Sequence, residues 1–232
     1  MYDLKSVSGR RGHGVLCCLV FCAWLFFGCQ NASVNVSEPP SGPLNIKTIL
    51  VLPFKELSEQ PGEHPDTRSP VTGRIFITGE VAEYADDFLT DSLVSWLQSN
   101  TPYELRISNY SQSPGSILDA AGGYLALNRK DLTAFARKEA ADAVLLGFVY
   151  RFRERVGGGF SAESPASVAF DLNLIRAVDD RILWSGNFDE TQQTLGQNLF
   201  QLGTFLSRGG RWITAKDMAT AGLTNMLKKF PK

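Results

Sequence analysis

The sequence predicts an α/β protein: a mixed β-sheet of about five strands flanked by helices, with a C-terminal helical extension. Three observations carry this reading. Apolar residues form strand-like and helical patterns in the order strand, helix, strand, helix, strand, and then two consecutive alternating strands close the sheet. The earliest run, Ile49 to Leu52, is apolar at every position, as a strand buried on both faces must be. The 232 residues are 44% hydrophobic and 20% charged, which is enough apolar material for a sizeable core and is not the balance of a disordered or fibrous chain.

In chain order the N-terminus comes first. Lys5, Arg10, Arg11 and His13 precede an almost unbroken apolar run from Val15 to Phe27, closed by Gly28 and Cys29. A basic start, a short apolar segment and a small residue at its end are the layout of a secretory signal peptide, here residues 1–28. Such a run rises about 20 Å as a helix against roughly 30 Å of hydrocarbon, too short for a comfortable membrane span. The alternative, a buried helix of a cytosolic protein, has no following segment to pack on it. Cys17, Cys18 and Cys22 lie inside the removed part, so Cys29 is the sole cysteine of the mature chain and no disulfide forms within it. Leu25-Phe26-Phe27-Gly28-Cys29 resembles the lipobox of bacterial lipoproteins, which implies acylation of Cys29. Two or three acyl chains make a stable anchor, and Gln30 after the cysteine, by resemblance to enterobacterial sorting signals, implies the outer membrane with the domain facing the periplasm. Residues 29–45 then read as the lipidated cysteine and a flexible tether, because Asn31, Ser33, Asn35, Ser37, Pro39, Pro40, Ser41, Gly42 and Pro43 leave no apolar periodicity.

From Ile46 onward the pattern is that of one folded domain, residues 46–232. Residues 46–54 form the first strand, and Pro53, which cannot donate to a ladder, ends it. A polar Pro- and Gly-rich loop fills residues 56–79, long enough to be a feature in its own right. Val81, Tyr84, Ala85, Phe88, Leu89, Leu93, Trp96 and Leu97 fall on one helical face and predict the first helix. Residues 104–108 read as a short strand and residues 111–123 as a loop broken by Pro114 and the Gly122-Gly123 pair. Asn128 and Asp131 can cap a helix carrying Leu132, Phe135, Ala136 and Ala140. Residues 143–152 are an apolar strand, Gly157-Gly158-Gly159 a flexible turn, and Val168, Phe170, Leu172 and Leu174 alternate on the next strand. Asp179-Asp180 turns that strand back into one on which Trp184 shares a face with Ile182 and Phe188. Helices over residues 195–206 and 215–230 close the chain, the last opened by Thr214 and Asp217 as a variant capping box.

The run Ala-Arg-Lys-Glu-Ala-Ala-Asp-Ala-Val-Leu-Leu-Gly at residues 136–147 resembles the helix-to-strand segment of an envelope superfamily. Its members include the N-terminal domain of TolB, the curli-secretion lipoprotein CsgG, the LpoB-type activators of penicillin-binding proteins and the exopolysaccharide lipoprotein PelC. Residues 171–176 and Ile182-Leu183-Trp184-Ser185-Gly186 resemble the hairpin of that group, and residues 49–54 its first strand. The resemblance spans roughly residues 46–190. It implies a non-enzymatic interaction or assembly factor for cell-wall synthesis or export, with a ring-forming exopolysaccharide-export lipoprotein of PelC type as the alternative. The polar loop after Pro53 shows no hairpin of alternating apolar residues, which argues against a secretion channel of CsgG type.

Chemistry-bearing constellations are thin. A net charge of -1 gives no field that would draw the protein onto nucleic acid, so none is expected as a partner. His64 is the only histidine left after cleavage, which leaves neither a Ser-His-Asp triad nor a multi-histidine zinc site; no metal, cofactor or catalytic residue is expected. Glu83, Asp87 and Asp91 recur every four residues as an acidic stripe; a carboxylate-dependent hydrolase or transferase using Asp87 and Asp91 is the rival from another class, and a solvated helix face the plainer account. Gly157-Gly158-Gly159 lacks the helix and lysine of a phosphate loop. Two features suit binding. Arg151, Arg153 and Arg155 alternate on one strand face, ready for an anionic partner or for charged protection of an edge strand. Arg208, Arg211 and Trp212 flank a double glycine, a composition common at interfaces, unless Trp212 is only a hydrophobic staple for the last helix. The expected partners are the membrane through the N-terminal lipid, an envelope protein, and further copies of the chain in a homo-oligomer.

Overall fold

The computed structural model describes residues 34–37, 44–57, 66–108, 129–157, 162–192 and 213–232. Its elements in chain order are β1 (Val34–Val36), β2 (Thr48–Val51), β3 (Lys55–Glu56), β4 (Asp66–Arg68), β5 (Ile75–Ile77), α1 (Ala85–Asn100), β6 (Glu104–Ile107), α2 (Arg129–Lys138), β7 (Ala143–Arg153), β8 (Val156–Gly157), β9 (Ala162–Ser164), β10 (Ser167–Arg176), β11 (Ile182–Thr191) and α3 (Ala215–Leu227). A mixed sheet organises them in the order β1-β11-β10-β7-β2-β6, with β3 also paired to β7. The strand β2 runs parallel to β6 and β7, whereas β10 is antiparallel to both β7 and β11, so the predicted hairpin is present. The five expected strands are all found; β1 and the two-residue β3 bring the sheet to seven.

The central strand β7 explains the two-layer packing. Its run Ala-Val-Leu-Leu-Gly-Phe-Val-Tyr is buried throughout, because each face of the sheet carries its own cover. On one face Ala143, Leu145 and Val149 join Val168, Phe170, Leu172 and Trp184 beneath the apolar stripes of α1 (Leu89, Leu93, Leu97) and α3 (Met218, Leu223, Met226). On the other, Val144, Leu146, Phe148 and Tyr150 pack with Leu132, Phe135 and Ala136 of α2 and with Val71 and Phe76. Gly147 sits where Phe54 crosses the strand; a Cβ there would lie 2.3 Å from the ring, so only glycine fits this approach.

Several expectations are corrected. Within the expected tether, Val34 to Val36 pair antiparallel with Phe188 to Gly186, and both valines pack against the core. The Val-Asn-Val alternation satisfies one open edge of β11 despite the surrounding Pro and Ser, so residues 34–36 are part of the sheet and not of a tether. The first helix starts at Ala85 rather than at Val81, which instead bridges to Phe152. The polar loop after β3 holds a two-stranded ribbon, β4 with β5. Trp184 is fully buried, as predicted, and meets Phe230 edge-on at 5.0 Å, but Ile182 does not share its face. Leu174 pairs with Trp184 while Ile175 pairs with Ile182, which makes Leu183 a bulge residue and flips Ile182 to the other layer. The capping box at Thr214 and Asp217 is formed as predicted. The predicted loop over residues 111–123, the helix over 195–206 and Asn128 lie outside the described residues.

Candidate interaction surface

Of the sequence-predicted site residues, Cys29, Arg208, Arg211 and Trp212 lie outside the described residues, as does His64. Arg151, Arg153 and Arg155 do not form an exposed row. The strand β7 that carries the first two is not an edge: β10 flanks it on one side, β2 and β3 on the other. A second bulge decides their placement. Ala169 pairs with Arg151 and Phe170 with Val149, so Tyr150 is the extra residue and Arg151 lands on the same face as Tyr150 instead of the α1–α3 face.

Arg151 is buried there and fully engaged. Its Nε donates to Ser167 Oγ at 2.5 Å, one terminal nitrogen donates to the Ile77 carbonyl at 2.6 Å, and the other meets Asp189 Oδ1 at 2.6 Å. The guanidinium therefore ties the β4–β5 ribbon to β10 and β11, a structural role that corrects its assignment as a contact residue. Arg153 and Arg155 are half-buried, the latter donating to the Gly157 carbonyl at 3.1 Å. Between them Glu154 accepts from Tyr84 Oη at 2.6 Å and from the Ala215 backbone N–H at 3.0 Å, joining α1 to the start of α3. Partial burial, and then this carboxylate, push the Tyr84 phenol up to about 12.

The acidic stripe is ordinary surface: Glu83, Asp87 and Asp91 are exposed on or beside α1. Among the described residues no group of three His, Cys, Asp or Glu side chains could hold a metal ion, and no helix is long and apolar enough to cross a membrane.

Two surfaces and one buried cluster were missed by the sequence reading. Ile75 and Ile77 are 49% and 61% exposed on the outer face of the β4–β5 ribbon, while Phe76 between them is buried. Nothing in a three-residue run separates such a ribbon from loop. A cavity of about 670 Å³ opens between the start of α2 and the β10–β11 turn, lined by Pro70, Arg129, Lys130, Asp179, Asp180, Arg181 and Ile182. Its acids are held by neighbours, Asp179 by Arg176 at 2.7 Å and Asp180 by Thr133 and Arg137. Finally, Asp171 and Asn173 alternate out of phase with Phe170, Leu172 and Leu174, the pattern of a solvent face, yet both are buried.

No family model and no curated protein matches the chain. Among solved structures it is similar to PelC from Paraburkholderia phytofirmans, solved as a dodecamer: 15% identity, TM-score 0.47, covering 84% of this chain and 94% of that one. It is also similar to the lipoprotein GNA1162 from Neisseria meningitidis (14% identity, TM-score 0.38, 71% and 98% covered). The C-terminal domain of LpoB from Salmonella enterica gives 18% identity and a TM-score of 0.34, with 66% and 87% covered.

Proposed function

We propose that the chain is a lipid-anchored protein of the bacterial envelope that acts by contact, as an interaction or assembly factor, and not by catalysis. The observation that carries this is the N-terminus: a basic start, one short apolar run and a single mature cysteine, Cys29, at its end. Retention by acyl chains on Cys29 needs no membrane-spanning segment. The acidic stripe and the buried, internally bonded Arg151 give no substrate pocket, whereas Ile75 and Ile77 offer exposed apolar area of the kind that partners cover. Arg208, Arg211 and Trp212 remain the proposed contact segment, with an envelope protein or a second copy of the chain as the partner.

The test is fractionation of cells expressing the wild type or Cys29→Ser. The wild type is expected in the outer-membrane fraction and the variant in the soluble periplasm or as unprocessed precursor. Unchanged fractionation and processing of Cys29→Ser would overturn the anchor.

A further inference from the structure

The buried cluster at the centre of β10 does no work in the reading above. Asp171 is only 2% exposed and Asn173 fully buried. Asp171 Oδ2 accepts from Tyr150 Oη at 3.1 Å, and the Ser69 hydroxyl also reaches this carboxyl. Asp171 Oδ1 and both polar atoms of the Asn173 amide have no hydrogen-bond partner, an arrangement that a native core does not keep without cause. The segment over this cluster, residues 66–79, rests on β7, with Val71 and Phe76 in the core. Phe76 stacks flat on Tyr150 at 4.0 Å, Arg151 holds the Ile77 carbonyl, and Gly79 N–H donates to the Tyr150 carbonyl at 3.1 Å.

We infer that residues 66–79 form a pH-responsive clip, seated when Asp171 carries a proton and loosened when it is ionised. The protonated acid can donate through Oδ1 to the Asn173 carbonyl oxygen, giving two idle atoms a partner while Oδ2 still accepts from Tyr150. The carboxylate would instead hold a charge excluded from water with no cation beside it, Arg151 being committed elsewhere, and lifting residues 66–79, which among the described residues belong neither to the main sheet nor to a helix, relieves that charge. Burial pushes the Asp171 carboxyl up to about 6, and the hydrogen bonds from Ser69 and Tyr150 only partly offset it.

The other groups facing Asp171 leave this control intact. From β7 come Phe148 and Tyr150, with Arg151 committed to Ser167, Ile77 and Asp189. From β11 comes Asn187, and Asp189 is paired with Arg151. The helix α2 adds Leu132, Phe135 and Ala136. The clip brings Ser69 and Phe76, while Asp66 and Arg68 lie opposite Ile77 and Ile75 on its exposed outer face. Among the described residues the titratable side chains within the cluster itself are Asp171 and Tyr150, and burial beside Asp171 holds the Tyr150 phenol neutral, well above its ordinary value.

The sign follows from linkage. Opening returns Asp171 to the ordinary carboxylate range, so the open state binds fewer protons between that range and about 6, and opening grows as pH rises through this window. The equilibrium constant for opening is expected to rise about tenfold between pH 5 and pH 7.5. Exchange of the Gly79 amide, followed by NMR on the folded protein and corrected for the intrinsic pH dependence of exchange, reads it directly. Wild type should show the tenfold loss of protection, amides of α3 should show none, and Asp171→Asn should be flat. Tyr150→Phe removes a donor to the carboxylate and should move the midpoint to higher pH, which provides a second reading if Asp171→Asn does not fold. A pH-independent Gly79 amide in the wild type, the same pH dependence in Asp171→Asn, or an unmoved midpoint in Tyr150→Phe would overturn the clip.

Discussion

Among the described residues Trp184 is the largest fully buried side chain, its indole meeting the ring of Phe230. Truncating a buried aromatic costs about 3–5 kcal/mol, so Trp184→Ala should lose that much in chemical denaturation and a native-like melt would place it wrongly. Asp171 works in the opposite direction. Its raised value, about 6, means that folding binds a proton there, so its stabilising contribution is present at low pH and is lost as pH rises toward 6. Asp171→Asn should therefore leave stability near pH 4 little changed and raise it at pH 7.5 by about 1–3 kcal/mol, measured by urea unfolding at both pH values. Asp142 shows the ordinary case: its carboxylate accepts the Lys47 and Thr48 N–H groups at 2.8 and 3.0 Å, and these bonds hold it below the usual range. Of these roles, that of Trp184 was readable from sequence by alternation. The burial of Asp171 was not, because alternation marks a polar face without saying that another segment covers it.

At the level of elements, legibility followed length and regularity. The eleven-residue β7 and the ten-residue β10 and β11 were found with their pairing. The three-residue β1, β4 and β5 were read as tether or loop, since their stability comes from the edge or surface they dock on and not from a local pattern. Bulges at Tyr150 and Leu183 are equally silent in sequence, and each shifts a face assignment, of Arg151 and of Ile182. Capping chemistry, by contrast, is local. Thr214 Oγ1 accepts from the Asp217 N–H at 3.1 Å and the Asp217 carboxylate accepts from the Thr214 N–H at 3.3 Å, closing the box predicted for α3. Thr214→Ala should cost about 1 kcal/mol, seen as a small fall in melting temperature with the fold retained.

For the whole molecule, the described surface of the sheet and its two covers includes exposed apolar area at Ile75 and Ile77, and the function proposed for it is contact. Assembly is then the property to measure. Changing Arg208 and Arg211 together to Ala removes charge at a segment proposed to meet a partner, where such residues contribute little to folding. The double variant should stay within about 1 kcal/mol of wild-type stability and lose self-association in light scattering or capture of the proposed envelope partner. Intact assembly in that variant would move the contact elsewhere, first to the exposed outer face of the β4–β5 ribbon with Ile75 and Ile77. The proposed placement in the envelope underlies all of this, and the mass of the N-terminal peptide of the mature protein tests it most directly. The account predicts a chain that begins at Cys29 and carries a diacylglyceryl group on its sulfur; a mature chain that begins elsewhere, or an unmodified Cys29, would contradict it.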